Sequence, residues 1–447
     1  MNSQEQLGAI DRLATAITFA TVSDPDDPNA SADEFMQFQA WVTTTFPKVS
    51  QRRVTNGPAN GMLWCLPGVK DELKPGILLA HHDVVPAPLE TLQKWTHPPF
   101  SGQQTDGCIW GRGALDNKSN LVSILEAAEA LLNREQPLQR TLYIYSGNDE
   151  EVMGLRGAKQ AVEWFRAQGI TAEFVIDEGL TLTHGIIAGI ERPVGLIGLQ
   201  EKGYATIRMR ATAPLEGHSM MPPRRSLIVQ LSQAIGRLED KGFRHRLQGT
   251  ARRMLSTLAP HMRWPQRLVM GHLWLFAPIA ARVLGKMDAT RAMLGTTVAA
   301  TTIKAGLREN AVPASVEAQV NLRVAPGESV DSVLTRVRDV VGPDVEVLDP
   351  AIPIEPGRVA DSNTTVYHAI TEAILHIEPD AVIAPGLFAG HSDSIWFESI
   401  AINVYRFSPL RLHPKDPPLF HGINERIPIS TYLDMIRFYE TLIERAF

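Results

Sequence analysis

Cysteine is scarce in this sequence, with only two residues, Cys65 and Cys108, among 447. So few thiols exclude a disulfide-stapled scaffold and suit a reducing compartment, which leads us to expect a cytoplasmic protein. The opening residues, MNSQEQLGAIDRLATAI, also lack a basic stretch followed by an apolar one. We therefore expect no secretory signal there.

An excess of positive charge is missing as well. The formal net charge is −6, the sequence pI is about 6.1, and no segment is strongly basic. Nucleic acid is therefore not an expected partner, because its backbone demands a basic surface. The length and the hydrophobic content of 44% are ordinary for a globular protein of two or three domains.

Long apolar runs are missing too. The most apolar stretch, LVMGHLWLFAPIAARVLG at 268–285, contains His272 and Arg282. Its uncharged part is shorter than the ~20 apolar residues that a membrane span requires, so we expect no span. The stretch suits a buried helix, a helix that touches a membrane, or a wall against an apolar ligand.

Strands and helices alternate in the first half of the chain. Apolar runs and helical periodicity predict, in order, a strand at 76–80, a helix at 121–132, a strand at 141–146, a helix at 158–168 and a strand at 172–177. Such alternation predicts an α/β domain built on a mainly parallel sheet.

The pattern changes near residue 198. Half-exposed alternation and amphipathic periodicity then predict a strand at 204–213, a helix at 224–240, a strand at 316–326 and a helix at 329–341. Apolar strands among helices return from about residue 350. We therefore predict one catalytic domain in two pieces, 1–197 and 350–447, around an inserted α+β module at 198–349.

Acidic and imidazole side chains follow the predicted strands or lie in the loops beyond them. In open α/β sheets, ligands bind at the carboxyl ends of the strands. The side chains are those of His81-His82-Asp83, Asp116, Asp149-Glu150-Glu151, Asp177-Glu178, His421 and Glu425. Each alone is typical of a helix cap, a solvated turn or a surface histidine. Gathered together, the carboxylates would repel one another unless cations lie among them.

The composition of this group suits divalent metal ions. Histidine with several carboxylates is typical of zinc, and the lack of thiolates permits cobalt or manganese. A carboxylate shared by two ions would make a co-catalytic pair. In His81-x-Asp83 the carboxylate can hold the second imidazole nitrogen. In Glu150-Glu151 one side chain can bind metal while the other takes a proton from the attacking water.

The ordered motifs of this chain closely resemble those of the di-zinc metallopeptidases that include aminoacylase, acetylornithine deacetylase, succinyl-diaminopimelate desuccinylase, carboxypeptidase G and yeast carboxypeptidase S. The motifs are AHHDVVPAP, WTHPPFSG, GRGALDNKS, GNDEEVMGLRGA, VIDEG, EGHS, RENAVP, NLRVAP and HGINERI. They span nearly the whole chain. The resemblance implies a mainly parallel di-metal catalytic domain with an inserted lid, through which the chain could form a homodimer.

The resemblance implies a role for each metal-site residue. It implies two divalent ions, with zinc expected. The residues similar to the family's ligands and base are His81 as a ligand of one metal, Asp83 as its orienting partner, Asp116 as the bridging carboxylate, Glu150 as the general base, and Glu151 and His421 as ligands of the second metal. The family uses Asp or Glu at the VIDEG position; we favour Asp177, with Glu178 as the alternative.

The inserted lid carries three further candidates by the same resemblance. His218 is similar to a histidine that stabilises the oxyanion, often in the partner subunit's site, and Asn310 to a second polar contact there. Arg323 is similar to the arginine that binds the substrate carboxylate, for which a guanidinium fork is well shaped.

The implied activity is hydrolysis of an amide next to a free carboxylate, in a dipeptide or an N-acyl amino acid. The DEGL sequence and the long lid look most like the carboxypeptidase S branch and its relatives that act on N-acyl amino acids. A dinuclear phosphohydrolase or esterase, and a metal-bound protein without catalysis, are the alternatives. The sequence has no phosphate-binding glycine loop and retains Glu150, which argues against both.

Overall fold

The computed structural model describes residues 2–447, except for the side chains of residues 288 and 289. Its strands, in chain order, are β1 Met62–Leu66, β2 Gly76–His81, β3 Gln103–Thr105, β4 Cys108–Trp110, β5 Leu142–Gly147, β6 Ala172–Thr183, β7 Val194–Glu201, β8 Gly203–Thr212, β9 Gly217–His218, β10 Thr297–Ala305, β11 Ala311–Val312, β12 Ser315–Val324, β13 Glu346–Leu348, β14 Val382–Phe388, β15 Ala401–Leu412 and β16 Arg426–Pro428.

The α-helices are α1 Ser3–Thr18, α2 Ala32–Thr45, α3 Pro47–Ser50, α4 Lys118–Asn133, α5 Ala158–Ala167, α6 Leu227–Lys241, α7 Gly249–Leu258, α8 Gln266–Gly271, α9 Leu273–Leu284, α10 Asp288–Arg291, α11 Val330–Val341, α12 Thr365–Ile377, α13 Ser394–Phe397 and α14 Ile429–Ala446. Among the described residues, no helix is both long enough and apolar enough to cross a membrane.

A seven-stranded sheet in the order β1-β5-β2-β6-β15-β7-β14 forms the larger body. The pairs β5–β2, β2–β6, β6–β15 and β7–β14 are parallel, whereas β1 and β7 meet their other neighbours antiparallel. The prediction of a mainly parallel α/β sheet is confirmed. Because β2 and β5 are parallel neighbours, His81 and the acidic turn after Gly147 lie together at the carboxyl ends of these strands.

Side chains alternate across this sheet, so both of its faces are covered. One face of β2, with Leu78 and Ala80, packs on a core shared with α1, α4, α12 and α14. The other face, with Ile77 and Leu79, packs on a core shared with α5 and α13. A sheet buried on both faces explains why β2 reads as an uninterrupted apolar run.

A second, four-stranded sheet in the order β10-β12-β8-β13 lies within the inserted region. All of its pairs are antiparallel, and α6 and α11 cover one face around a separate apolar core. The alternating burial along β8 and β12 matches the half-exposed pattern in the sequence. The helices α7–α9 pack elsewhere: their core includes Val194, Val382 and Leu387, on the edge of the larger sheet.

One strand differs from its prediction. The sequence places the end of the third strand at residue 177, whereas β6 continues to Thr183. The continuation is irregular at Gly179, whose φ of 141° is a conformation that side-chain-bearing residues rarely adopt. Beyond it, β6 still pairs with β15 and β7, through residues such as Leu182. Asp177 and Glu178 therefore lie within a strand and not after one.

Candidate metal centre and active-site cavity

His81 stands at the centre of the candidate metal site. It ends β2 and is 1% exposed. Its Nε2 atom lies 3.1 Å from Asp116 Oδ1 and 3.3 Å from Glu178 Oε1. Two ligands of one tetrahedral ion, each bound at about 2.1 Å, are about 3.4 Å apart. The spacing of these three side chains therefore suits ligands that share one ion.

Asp116 connects this group to a second one. Its Oδ2 atom lies 3.2 Å from His421 Nε2, and the same nitrogen lies 3.2 Å from Glu151 Oε2. The two oxygens of one carboxylate thus face two different histidines, as a carboxylate bridging two ions must. In each of these triads, and in a third made of His81, Glu150 and Glu151, one potential ligand atom from each residue lies within 4.8 Å of the others.

Asp177 and Glu178 take opposite directions from β6, because successive residues of a strand face opposite sides. Glu178 reaches His81. Asp177 instead accepts the backbone N–H of Glu178 at 2.9 Å through Oδ1 and that of Ser394 at 2.8 Å through Oδ2. Of the two residues considered for this position, Glu178 therefore points into the cluster, whereas Asp177, the one we favoured, points away from it.

Asp83 contacts both a histidine and the acidic turn. Its Oδ1 atom lies 3.3 Å from His81 Nδ1, although that nitrogen is closer, at 3.0 Å, to the backbone carbonyl of Asp83 itself. The carboxylate also accepts the backbone N–H groups of Glu150 and Glu151, at 3.2 and 3.1 Å. One buried side chain therefore fixes the position of His81 relative to both glutamates.

The two glutamates leave their turn in different directions. They begin a short 3₁₀ turn, Glu150–Val152, after β5. Glu151 reaches His421, whereas Glu150 Oε2 lies 3.8 Å from His81 Nε2. Glu150 therefore lies beside the cluster without belonging to the His421 group, and its carboxylate lines the cavity described below.

Glu425 organises the loop that carries Asp116. No specific pattern in the sequence predicted this role. Its Oε1 atom accepts the backbone N–H groups of residues 113, 115 and 116 at 3.0, 2.8 and 3.2 Å. Its Oε2 atom accepts from Arg112 Nη1 at 2.6 Å. Arg112 also donates to the backbone carbonyl of His421 at 3.1 Å. This buried ion pair thus positions the loops of two proposed ligands together.

The charges of the cluster fit metal ions. Burial and the neighbouring Asp116 raise the pKa of Glu178 to about 8. Hydrogen bonds to Asp116 and Glu151 raise the pKa of His421 to about 10. Among the described residues, Glu151 Oε1 is buried without a hydrogen-bond partner. Bound protons reduce the repulsion among these carboxylates, and divalent cations at the same positions would reduce it in the same way. The histidine and carboxylate donors therefore fit two such ions.

A cavity of about 560 Å³ opens over the cluster. Besides the acidic residues, its walls include the apolar side chains of Leu180, Leu196, Leu410, Leu412 and Phe420. Thr183, also in the wall, lies five residues beyond Glu178 on β6, about 16 Å at the usual rise of a strand. Leu412 pairs opposite Thr183 on β15. We call this wall, from Leu180 to Thr183 and across to Leu412, the apolar arm of the cavity.

Two buried polar groups also line the cavity. Arg323 extends from β12 of the smaller sheet, with its guanidinium 4.9 Å from the centre of the Tyr204 ring, and its buried Nη1 atom has no hydrogen-bond partner among the residues that the structure describes. His391 Nδ1 lies 3.4 Å from Glu201 Oε1, while its buried Nε2 atom also has no hydrogen-bond partner in the described part of the chain. Sequence reasoning missed His391; the only signal was a histidine after the apolar strand at 381–386.

His218 and Asn310 lie near each other but outside this cavity. The short strands β9 and β11 pair with each other, and the Ser219 N–H donates to the Asn310 carbonyl at 3.0 Å. Both residues are exposed on the inserted region, and neither is among those that line the cavity. Within one chain, the structure thus brings Arg323 to the metal cluster but not these two.

Known proteins are similar to this chain in sequence and in fold. The model of peptidase family M20/M25/M40 matches residues 77–445. An N-fatty-acyl-amino acid synthase/hydrolase, PM20D1.1, from Danio rerio is 35% identical over 454 residues, covering 100% of this chain and 87% of that protein. A probable carboxypeptidase S-like 2 from Dictyostelium discoideum is 36% identical over 441 residues, covering 97% and 84%.

A solved structure supports the fold independently. The M20 family metallo-carboxypeptidase Sso-CP2 from Sulfolobus solfataricus superposes with a TM-score of 0.73 at 19% identity, covering 100% of this chain and 99% of that one. At this identity the likeness concerns the fold alone.

Proposed function

Because the chain belongs to peptidase family M20/M25/M40 and is a metal-dependent hydrolase of the carboxypeptidase and N-acyl amino acid hydrolase type, we propose that its substrates are N-acyl amino acids with long acyl chains. The observation that carries this proposal is the apolar arm, which runs from the metal cluster along β6 and β15. The relatives give no support to a phosphohydrolase or to a non-catalytic binding protein.

The proposed metal centre holds two ions, with zinc expected and cobalt or manganese as substitutes. We assign His81 and Glu178 to one ion, His421 and Glu151 to the other, and Asp116 to both. Glu178 replaces Asp177 in this assignment because of the direction that each side chain takes from β6. When bound, the ions supply Lewis acidity for the scissile carbonyl and for the attacking water.

The proposed chemical step uses residues of this chain as follows. Glu150 accepts a proton from the attacking water and later donates it to the leaving amine, which is general base and then general acid catalysis. Asp83 keeps the Glu150 backbone fixed relative to His81, through contacts with both residues. Exclusion of bulk water by the walls of the cavity strengthens each electrostatic contact inside it.

Arg323 is the proposed anchor for the substrate carboxylate. A half-buried guanidinium whose buried Nη1 has no partner among the described residues is costly to leave without an anion, so it favours a ligand that brings one. We expect Arg323→Met to lower kcat/KM for an N-acyl amino acid about 100-fold, as loss of hydrogen bonds to a charged group implies. The matching amide, which lacks the carboxylate, is expected to be hydrolysed equally slowly by both proteins. Steady-state kinetics with the acid and amide pair measures this, and an equal loss for both substrates would contradict the assignment.

Acyl length is the test of the proposed substrate class. We expect kcat/KM to rise at least about 100-fold from N-acetyl to N-lauroyl amino acids, because each buried methylene contributes up to ~0.8 kcal/mol. The assay follows release of free amino acid by mass spectrometry, with dipeptides in the same panel and a chelator-treated control. Leu180→Asn is expected to reduce turnover of the N-lauroyl compound while sparing the N-acetyl one. A flat series, or a preference for dipeptides, would count against the apolar arm as an acyl site.

We also propose a homodimer and a lid. His218 and Asn310 are exposed and away from their own cavity, so we propose that they contact the oxyanion in the site of a second subunit. We retain 1–197 with 350–447 as the catalytic domain and 198–349 as the lid and dimerisation domain. Closure of such a lid would exclude water from the substrate. A cytoplasmic location is a proposal that rests on the two unbridged cysteines.

A further inference from the structure

The helices α8 and α9 present an unusual surface to solvent. α9 is apolar on nearly all sides: Leu273, Ala280 and Ala281 are buried against the larger sheet, while another stripe is exposed. A helix that is hydrophobic all round is normally enclosed by protein or lipid. The exposed side chains are Trp264, Leu268, Trp274, Leu275, Ile279, Val283 and Met287. We call this surface, within residues 263–287, the tryptophan patch.

The exposure of the patch is large, and part of the patch is a continuous ridge. Trp264 is 79% exposed and Trp274 is 73% exposed. Leu275, Ile279 and Val283 follow one another at four-residue spacing, so they form one continuous ridge along α9. Contiguous apolar surface of this kind marks an interaction site in a folded protein.

The charge of the patch distinguishes between two candidate occupants, an anionic membrane and a second copy of the chain. Residues 263–287 contain four basic residues and no acidic residue, although the whole chain has a net charge of −6. Arg263 pairs with Glu191, whereas Arg282 and Lys286 are exposed at the end of α9, and Arg267 is exposed on α8 beside Trp264 and Leu268. Tryptophan and aliphatic side chains flanked by lysine and arginine match the headgroup region of an anionic bilayer. A symmetric contact between two copies would instead bring the same cations together.

The patch also lies next to the apolar arm. The backbone N–H of Arg263 donates to the Gly189 carbonyl at 2.9 Å, in the connection between β6 and β7. The flanking residues on these strands, Thr183 and Leu196, both line the active-site cavity. A surface that engages lipid here would therefore place the end of the cavity close to the bilayer.

We propose that the tryptophan patch docks the protein on the surface of anionic membranes. The apolar ridge enters the interfacial region, and Arg267, Arg282 and Lys286 contact acidic headgroups. The docking is peripheral, because no helix in the described part of the chain could span a bilayer. This inference goes beyond the proposed substrate class and does not depend on it.

Co-flotation with vesicles tests this proposal on the full-length, metal-loaded protein. We expect binding to vesicles of phosphatidylcholine with 30% phosphatidylserine, little binding to pure phosphatidylcholine, and weakening as salt rises. The double variant Trp264→Ser/Trp274→Ser is expected to bind at least tenfold more weakly, as is Arg267→Glu/Arg282→Glu. The matched control Leu7→Ser/Leu89→Ser, which removes exposed apolar side chains far along the chain from the patch, is expected to bind as the parent does.

Hydrolysis of a water-soluble N-acetyl amino acid, measured without lipid, shows that each variant is folded and keeps its site. Failure of the parent protein to hydrolyse either N-acetyl or N-lauroyl amino acids would count against the proposed function and leave the flotation result intact. Failure to bind anionic vesicles, equal binding to neutral ones, or equal binding by the patch variants would overturn the docking proposal. A dimer that dissociates only in the tryptophan variant, without vesicle binding by the parent, would identify a second copy as the occupant.

Discussion

Glu150→Gln is expected to lower kcat by about 10³-fold while the protein keeps two metal ions per chain. The amide cannot accept the proton of the attacking water, but it preserves the size of the side chain. Glu150 Oε2 lies 3.8 Å from His81 Nε2, farther than the 3.1 and 3.3 Å of Asp116 and Glu178, and its backbone N–H would still reach Asp83. The metal ligands should therefore remain in place, and the defect should lie in kcat.

The measurement combines steady-state kinetics with metal analysis of the same preparation. Glu90→Gln, at an exposed position far from the cavity, is the control for the loss of a negative charge. A Glu150→Gln protein with normal kcat would show that another group accepts the proton. A protein that had lost one metal would instead show that Glu150 is a ligand.

Glu178→Ala is expected to reduce the metal content from two ions to about one and to lower kcat/KM at least about 100-fold. The reason is geometric: Glu178 Oε1 lies 3.3 Å from His81 Nε2, in the same group as Asp116. Asp177→Asn is the matched variant, because Asp177 accepts hydrogen bonds from two backbone N–H groups and from the Ser392 side chain, which an amide oxygen can still accept in part. Asp177→Asn should therefore retain both ions.

Elemental analysis after dialysis, together with activity restored by added zinc, measures this pair. The reverse result, with metal lost from Asp177→Asn and kept by Glu178→Ala, would return the ligand role to Asp177. Loss from both variants would indicate that the backbone contacts of Asp177 hold Glu178 in position.

Much of the fold follows from local patterns in the sequence. The strand at Gly76–His81 and the helix at Lys118–Asn133 lie where the apolar run and the helical periodicity predict them. The length of β6 does not follow, because Glu178-Gly179 interrupts its apolar pattern and only pairing with β15 carries it on to Thr183. Long-range pairing of this kind leaves no local signal.

The candidate site could likewise be predicted from the sequence only in part. Residue types and order identified the acidic and imidazole cluster, but could not decide between Asp177 and Glu178, since the choice depends on which face of β6 meets His81. The sequence did not identify His391, because its distinguishing feature is a contact with Glu201, which lies 190 residues earlier. The roles of His218 and Asn310 stay predictions, because a single chain does not bring them to a metal cluster.

The metal cluster brings together side chains that are far apart along the chain. His81 and His421 face the same carboxylate, Asp116, and the Arg112–Glu425 ion pair closes the same connection beside it. Two bound metal ions would thus link segments more than 300 residues apart, and their binding free energy would stabilise the folded chain, because the unfolded chain does not hold these ligands together. Nearly the whole chain must therefore be in place before the centre is complete, so a product cut short before residue 421 would be deficient in metal as well as in activity.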